Sequence, residues 1–170
     1  MKPKFISALI LIFLSMGICA QELIPDSTSQ AELAKIQFME GKWKGSGWTL
    51  GRDGLKHEFE QTENVRMKLD ATIMLIEGLG ISKGVVSHNA LAVISFNKEK
   101  GHYNFQSWLS NGRGGVFKGE VKDNTFYWYP NEYIRYIIYI NDNGQWYEKG
   151  EMNRGGNWTQ FFEMTLDKEK

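Results

Sequence analysis

Apolar and polar residues change their period once along the chain. Leu33, Ile36 and Phe38 or Met39 recur at helical spacing, and Ser29 followed three residues later by Glu32 resembles a capping box. A short helix is therefore predicted over about 30–39. From Gly41 onward the period is two. Trp43 and Trp48 lie in a glycine-studded strand, and strand-like runs follow at about 55–69, 71–79, 87–97, 101–109, 115–122, 124–129, 133–141, 145–152 and 157–167. Asp53-Gly54, Gly80 to Gly84, Lys100-Gly101, Asn111 to Gly115, Asp123-Asn124, Pro130-Asn131, Asp142 to Gly144 and Arg154 to Gly156 separate the runs with turn-forming residues. Ten strands joined by short connections read as an antiparallel meander. Left open, such a sheet keeps two long edges that template aggregation, and closing it into a barrel removes them. The expected fold is all-β: about ten antiparallel strands in a barrel, one short N-terminal helix, and a single domain over 30–170. Residues 21–29 are polar and read as a flexible lead-in.

The first twenty residues have a different pattern. Lys2 and Lys4 precede an apolar run from Phe5 to Ile18, and small residues lead to Ala20. At about 1.5 Å per residue the run falls short of a bilayer core of roughly 30 Å. Residues 1–20 read as a signal peptide cleaved near Ala20, which implies export to the periplasm or the extracellular space. No second hydrophobic run follows, so no membrane span is expected in the mature chain. Lipidation at Cys19 would need a small residue just before the cysteine, and Ile18 stands there. Cys19 is the sole cysteine, so neither a disulfide framework nor a thiolate zinc site is expected.

Composition adds a boundary. The chain has 170 residues, is 42% hydrophobic and 14% aromatic, and carries 20 basic and 20 acidic residues. Loss of Lys2 and Lys4 leaves 18 basic against 20 acidic. No field draws such a chain to nucleic acid, so nucleic acid is not an expected partner.

Catalytic patterning is sparse. Gly80-Ile81-Ser82-Lys83-Gly84 matches the nucleophile-elbow spacing, but a strand follows where the elbow needs a helix. The glycine-rich stretch around Arg113 likewise precedes a strand, so it lacks the helix N-terminus of a phosphate site. Of the three histidines, His57 and His102 fall near turns, whereas His88 shares a face with Ala90, Ala92 and Ile94. No pair has the spacing of a metal-binding helix, and neither a metal nor a cofactor is expected. Trp43, Trp48, Trp108, Trp128, Trp146 and Trp158 pack a core or line an apolar cavity. Glu77, Arg135, Glu148 and Glu163 interrupt otherwise apolar strands, and a charge that turns inward needs a partner or a ligand. The 55–69 run splits into Glu58, Glu60, Thr62, Asn64 and Arg66 against Phe59, Gln61, Glu63, Val65 and Met67. It lines a wet part of the lumen or crosses an exposed edge.

The strings Phe38-Met39-Glu40-Gly41-Lys42-Trp43-Lys44-Gly45, Leu75-Ile76-Glu77-Gly78, Ala90 to Phe96, Gly144-Gln145-Trp146-Tyr147-Glu148 and Trp158 to Met164 resemble a bacterial family of exported, lipocalin-like proteins of unknown function within the calycin superfamily. The resemblance spans about 33–167 and implies a calycin-type barrel with no established activity. Gly41 to Gly47 also resembles the opening strand of nitrobindin-type haem barrels. Those ligate haem with a late histidine, whereas His102 is the last one here.

The chain thus reads as an exported barrel that binds a small hydrophobic or amphipathic molecule. The candidate ligand-contacting residues are Arg135, Glu77, Glu148, His88, Trp108 and Trp128. Arg135 is the expected anchor for an anionic group if the set Tyr133, Arg135, Ile137, Tyr139 and Asn141 turns inward. Fatty-acid-binding barrels, a further resemblance, use interior arginines in this way. The opposite arrangement buries Ile134, Tyr136, Ile138 and Ile140 and leaves Arg135 in water. Two alternatives stand beside this reading: an enzyme using lumen carboxylates or His88 in acid–base chemistry, and a structural envelope protein with a filled barrel.

Overall fold

The computed structural model describes residues 22–170, so the signal-peptide reading of 1–20 lies outside the described residues. Ten antiparallel strands close into one barrel: β1 (Gly41–Leu50), β2 (Lys56–Lys68), β3 (Ile73–Ser82), β4 (Val85–Asn97), β5 (His102–Leu109), β6 (Gly114–Lys122), β7 (Thr125–Asn131), β8 (Ile134–Ile140), β9 (Trp146–Arg154) and β10 (Asn157–Lys168). Each strand pairs with its sequence neighbours, and β1 pairs with β10 from Trp43↔Lys168 to Thr49↔Phe162 to shut the ring. The predicted all-β barrel is the observed one.

The glycines of β1 have a role in that closure. A Cβ on Gly45 would lie 2.2 Å from the Thr165 carbonyl oxygen, and one on Gly47 would lie 2.2 Å from that of Glu163. Only glycine lets the first and last strands approach this closely. Between strands, two-residue turns such as Lys83-Gly84 and Asp123-Asn124 adopt the positive φ that matches strand twist.

The helix begins earlier than predicted and is shorter. α1 runs Ser27–Ala34, and a single 3₁₀ turn follows at Gln37–Met39. Asp26, not Ser29, is the N-cap. Its carboxylate accepts from the Ser29 backbone N–H at 3.1 Å, which satisfies a donor the helix leaves free. Order therefore starts inside the expected lead-in. α1 packs on β3 and β4, and the 3₁₀ turn packs on β8. β3 and β8 stand opposite one another in the ring, so this segment lies across one end of the barrel and plugs it. Leu33, Ile36 and Met39 are fully buried there against Trp43, Met74, Ile94, Tyr103, Phe126, Trp146 and Leu166. The Trp43 indole donates to the Met39 carbonyl at 2.9 Å, and the Tyr103 hydroxyl donates to that of Glu32 at 2.8 Å. Fully burying each such large apolar side chain contributes about 1.5–3 kcal/mol.

The opposite end is irregular. Ladder registers shift at Gly80/Ile81, Trp128/Asn131 and Gln160/Phe162. Such bulges bend strands and occur at barrel rims.

Candidate functional site

Above the plugged end lies a cavity of about 690 Å³, reached from the irregular rim. Ser87, Pro130 and Phe161, which sit at the three register shifts, all line it. Its wall is an aromatic ladder. Trp128 stacks between Phe105 and Tyr136 at 4.4 Å on each side, and Tyr136 continues edge-on to Phe161 and Phe162. The ladder forms because the inward positions of β5, β7, β8 and β10 all carry rings at matching heights.

Acid side chains occupy the interior of this apolar space. Glu63 on β2 and Glu148 on β9 both line the cavity, and each is only 8% exposed. Glu63 Oε1 accepts from the Gln61 side-chain amide at 2.7 Å, while its Oε2 has no partner. Glu148 Oε2 accepts from the Trp146 indole at 3.3 Å. The Trp128 indole N–H lies near enough to favour the Glu148 anion slightly but outside hydrogen-bonding geometry, and so is unpartnered. Glycine makes the room: a Cβ on Gly78 would fall 2.8 Å from either oxygen of Glu63, and one on Gly80 would fall 2.6 Å from Gln61 Oε1.

Burial pushes the Glu63 carboxyl up to about 7. Burial and then the charge of Glu63 push Glu148 up to about 8. Two carboxylates in one buried space repel each other, so Glu63 and Glu148 titrate as a coupled pair. His88, the cross-strand neighbour of Gly80, lines the upper wall. It is open to solvent through the rim, yet burial still lowers its pKa, which favours the neutral ring. Arg113 also lines the cavity, from the β5–β6 turn at the rim.

The six candidate residues divide evenly. Trp128, Glu148 and His88 line the cavity. Arg135, Glu77 and Trp108 face outward, which corrects the expectation for these three. The aliphatic set of β8 turns inward, with Ile134, Tyr136 and Ile138 on the cavity. Arg135 is left outside, where it pairs with Glu151 at 2.7 Å and lies 4.1 Å over the Trp158 ring. An aliphatic face gains more by burial than a mixed one, and that decides the orientation. Glu77 pairs with Arg66 and accepts from the Asn64 amide, both on the outer face of β2. Trp108 is 44% exposed opposite Leu91. Glu163 also faces out, accepting from the Tyr147 hydroxyl at 2.8 Å.

Sequence reasoning missed Glu63, Gln61 and Tyr136 as site residues. The signal for Glu63 was present, since it shares its face with Phe59, Val65 and Met67, the more apolar set of β2. A second concavity, lined by Trp48, Glu58, Glu60, Lys83 and Glu163, lies mostly on the outer wall. It is more open and holds no buried unpartnered group, so the interior cavity is the candidate site. Among the described residues no cluster suited to a metal ion occurs, and no helix is long and apolar enough to cross a membrane.

No family model matches the chain, and no curated protein matches it. Among solved structures, the crystal structure of Rv2717c from M. tuberculosis is similar, with a TM-score of 0.58 at 10% identity. The match covers 88% of this chain and all of that one. At this identity the likeness is one of fold, a closed antiparallel barrel.

Proposed function

We propose that this protein is an exported, lipocalin-like carrier or receptor that holds a small hydrophobic or amphipathic molecule inside its barrel. The observation that carries the reading is the 690 Å³ cavity, with aromatic walls and a few convergent polar groups in its interior. That composition is the usual one for small-molecule sites. The cavity also counts against the filled-barrel alternative. Export rests on the basic, apolar and small-residue order of residues 1–20. Native mass spectrometry of the protein purified from its own cell envelope tests both points. A carried ligand adds mass to a chain that begins near Gln21. A bare chain, or one retaining residues 1–20, counts against the corresponding half of the proposal.

One observation favours the enzymatic alternative: three titratable groups, Glu63, Glu148 and His88, line the same space. An acid–base site needs such groups within reach of one substrate atom. Recovery of the bound molecule chemically unchanged after prolonged incubation separates carrier from enzyme.

A further inference from the structure

We infer that the interior of the cavity takes a protonated amine, so that the ligand is a lipophilic amine rather than a fatty acid. This rests on the binding reading above and goes further by naming the head group.

The interior acids lack partners. Glu63 and Glu148 present carboxyl oxygens to a cavity whose walls are otherwise largely apolar. Glu63 Oε2 is buried without any partner, and nearby donors supply one bond to each acid. Among the described residues no lysine lines the cavity; Arg113 does so at the rim. A buried carboxylate with no counter-charge stays protonated or waits for a cation. An ammonium group offers both a positive charge and three donors. It would ionise one acid of the pair, satisfy Glu63 Oε2, and leave its hydrocarbon tail against Phe59, Phe162 and Tyr136. A fatty acid entering head first would bring a third carboxyl to two acids. Entering tail first, it would bury Glu63 Oε2 under hydrocarbon.

Binding then exchanges charge for charge. The amine arrives as R–NH₃⁺, one glutamic acid gives its proton to solvent, and the carboxylate keeps the ammonium. Among the described residues five titratable side chains face the cavity: Glu63 from β2, His88 from β4, Tyr136 from β8, Glu148 from β9, and Arg113 from the β5–β6 turn. Burial and the charge of Glu148 hold the Tyr136 hydroxyl well above its usual range, so it stays neutral. At about pH 6 the acids are the source of the released proton.

The test uses the neutral fluorophore N-phenyl-1-naphthylamine as the reporter of cavity occupancy. It is displaced in turn by dodecylamine, dodecanol and dodecanoate, for the wild type, Glu63→Gln, and Glu63→Gln/Glu148→Gln. Dodecylamine is expected to bind about tenfold or more tighter than dodecanoate. It should release about one proton per molecule at pH ~6, read by calorimetry in buffers of different ionisation heat. The double variant should still bind the fluorophore and dodecanol, which shows that it folds, and should lose the amine preference. Equal or better displacement by dodecanoate, or an amine preference that survives in the double variant, overturns the inference and leaves the binding reading standing. Failure of the fluorophore to enter the wild type overturns both.

Discussion

Gly78 and Glu63 face one another across the β2–β3 ladder, and the space a side chain would fill at Gly78 holds the Glu63 carboxyl. The two positions are therefore coupled. Gly78→Ala is expected to destabilise the protein by about 1–3 kcal/mol, because Glu63 must leave a packed position. Adding Glu63→Ala should recover part of that loss. A double-mutant cycle on thermal unfolding checks this. Additive losses would mean the two side-chain positions do not interfere.

Buried acids make stability depend on pH in an unusual direction. Glu63 and Glu148 are raised by burial from ordinary carboxyl values to about 7 and about 8. Between roughly pH 4.5 and pH 8 the folded state thus holds more protons than the unfolded one. Stability falls as pH rises through this window, and every tenfold gain in proton affinity on folding costs about 1.4 kcal/mol at the alkaline end. Glu148→Gln removes one titrating group, so melting temperatures measured at about pH 5 and about pH 9 should lie closer together in the variant than in the wild type. An unchanged gap would show that Glu148 ionises freely.

Arg135 stands outside the barrel, so Arg135→Met should leave fluorophore binding in the cavity unchanged. Loss of its bonds to Glu151 and its contact with Trp158 should cost about 1 kcal/mol, because the pair is partly shielded from solvent. Binding titration and thermal unfolding together check this. A large loss of binding with intact stability would return Arg135 to the lumen.

Leu69, Asp70 and Ala71 all hold positive φ in the β2–β3 turn, at 50°, 54° and 62°. The left-handed region costs a residue with a Cβ about 1–2 kcal/mol. The Gln30 amide braces the turn by donating to the Asp70 carbonyl at 2.7 Å. Ala71→Gly is expected to raise stability by about 0.5–1 kcal/mol, once glycine's extra freedom in the unfolded chain is set against the relief. Thermal unfolding reads the sign, and a loss of stability would contradict it.

Strand number, order and closure were legible in the sequence because period-two patterning and turn residues are local signals. The face of a strand was harder to read. β8 carries aliphatic residues on one side and a tyrosine–arginine mixture on the other. Preferring a polar lumen placed Arg135 inside, when burial of Ile134 and Ile138 was the larger effect. β2 offered Glu63 beside Phe59 and Val65, but its charge does not say whether a strand crosses an edge or a lumen. The capping residue was misread because both Asp26 and Ser29 are good caps, and only the pairing of Asp26 with Ser29 and Lys98 separates them. The cavity itself depends on glycines at 78 and 80, whose meaning appears only when the cross-strand neighbours are known.

The segment that crosses the barrel between β3 and β8 leaves the irregular rim as the entrance to the cavity. Whatever enters first travels deepest, and must leave last. An amphiphile that docks on the acids goes in head first, shedding the water around its charge before it meets a compensating one. Arrival is then slow, and departure slower still, because the charge must be rehydrated through a passage filled by its own tail. On the proposed binding reading, such a cavity is suited to long residence times, not to rapid equilibration with its surroundings.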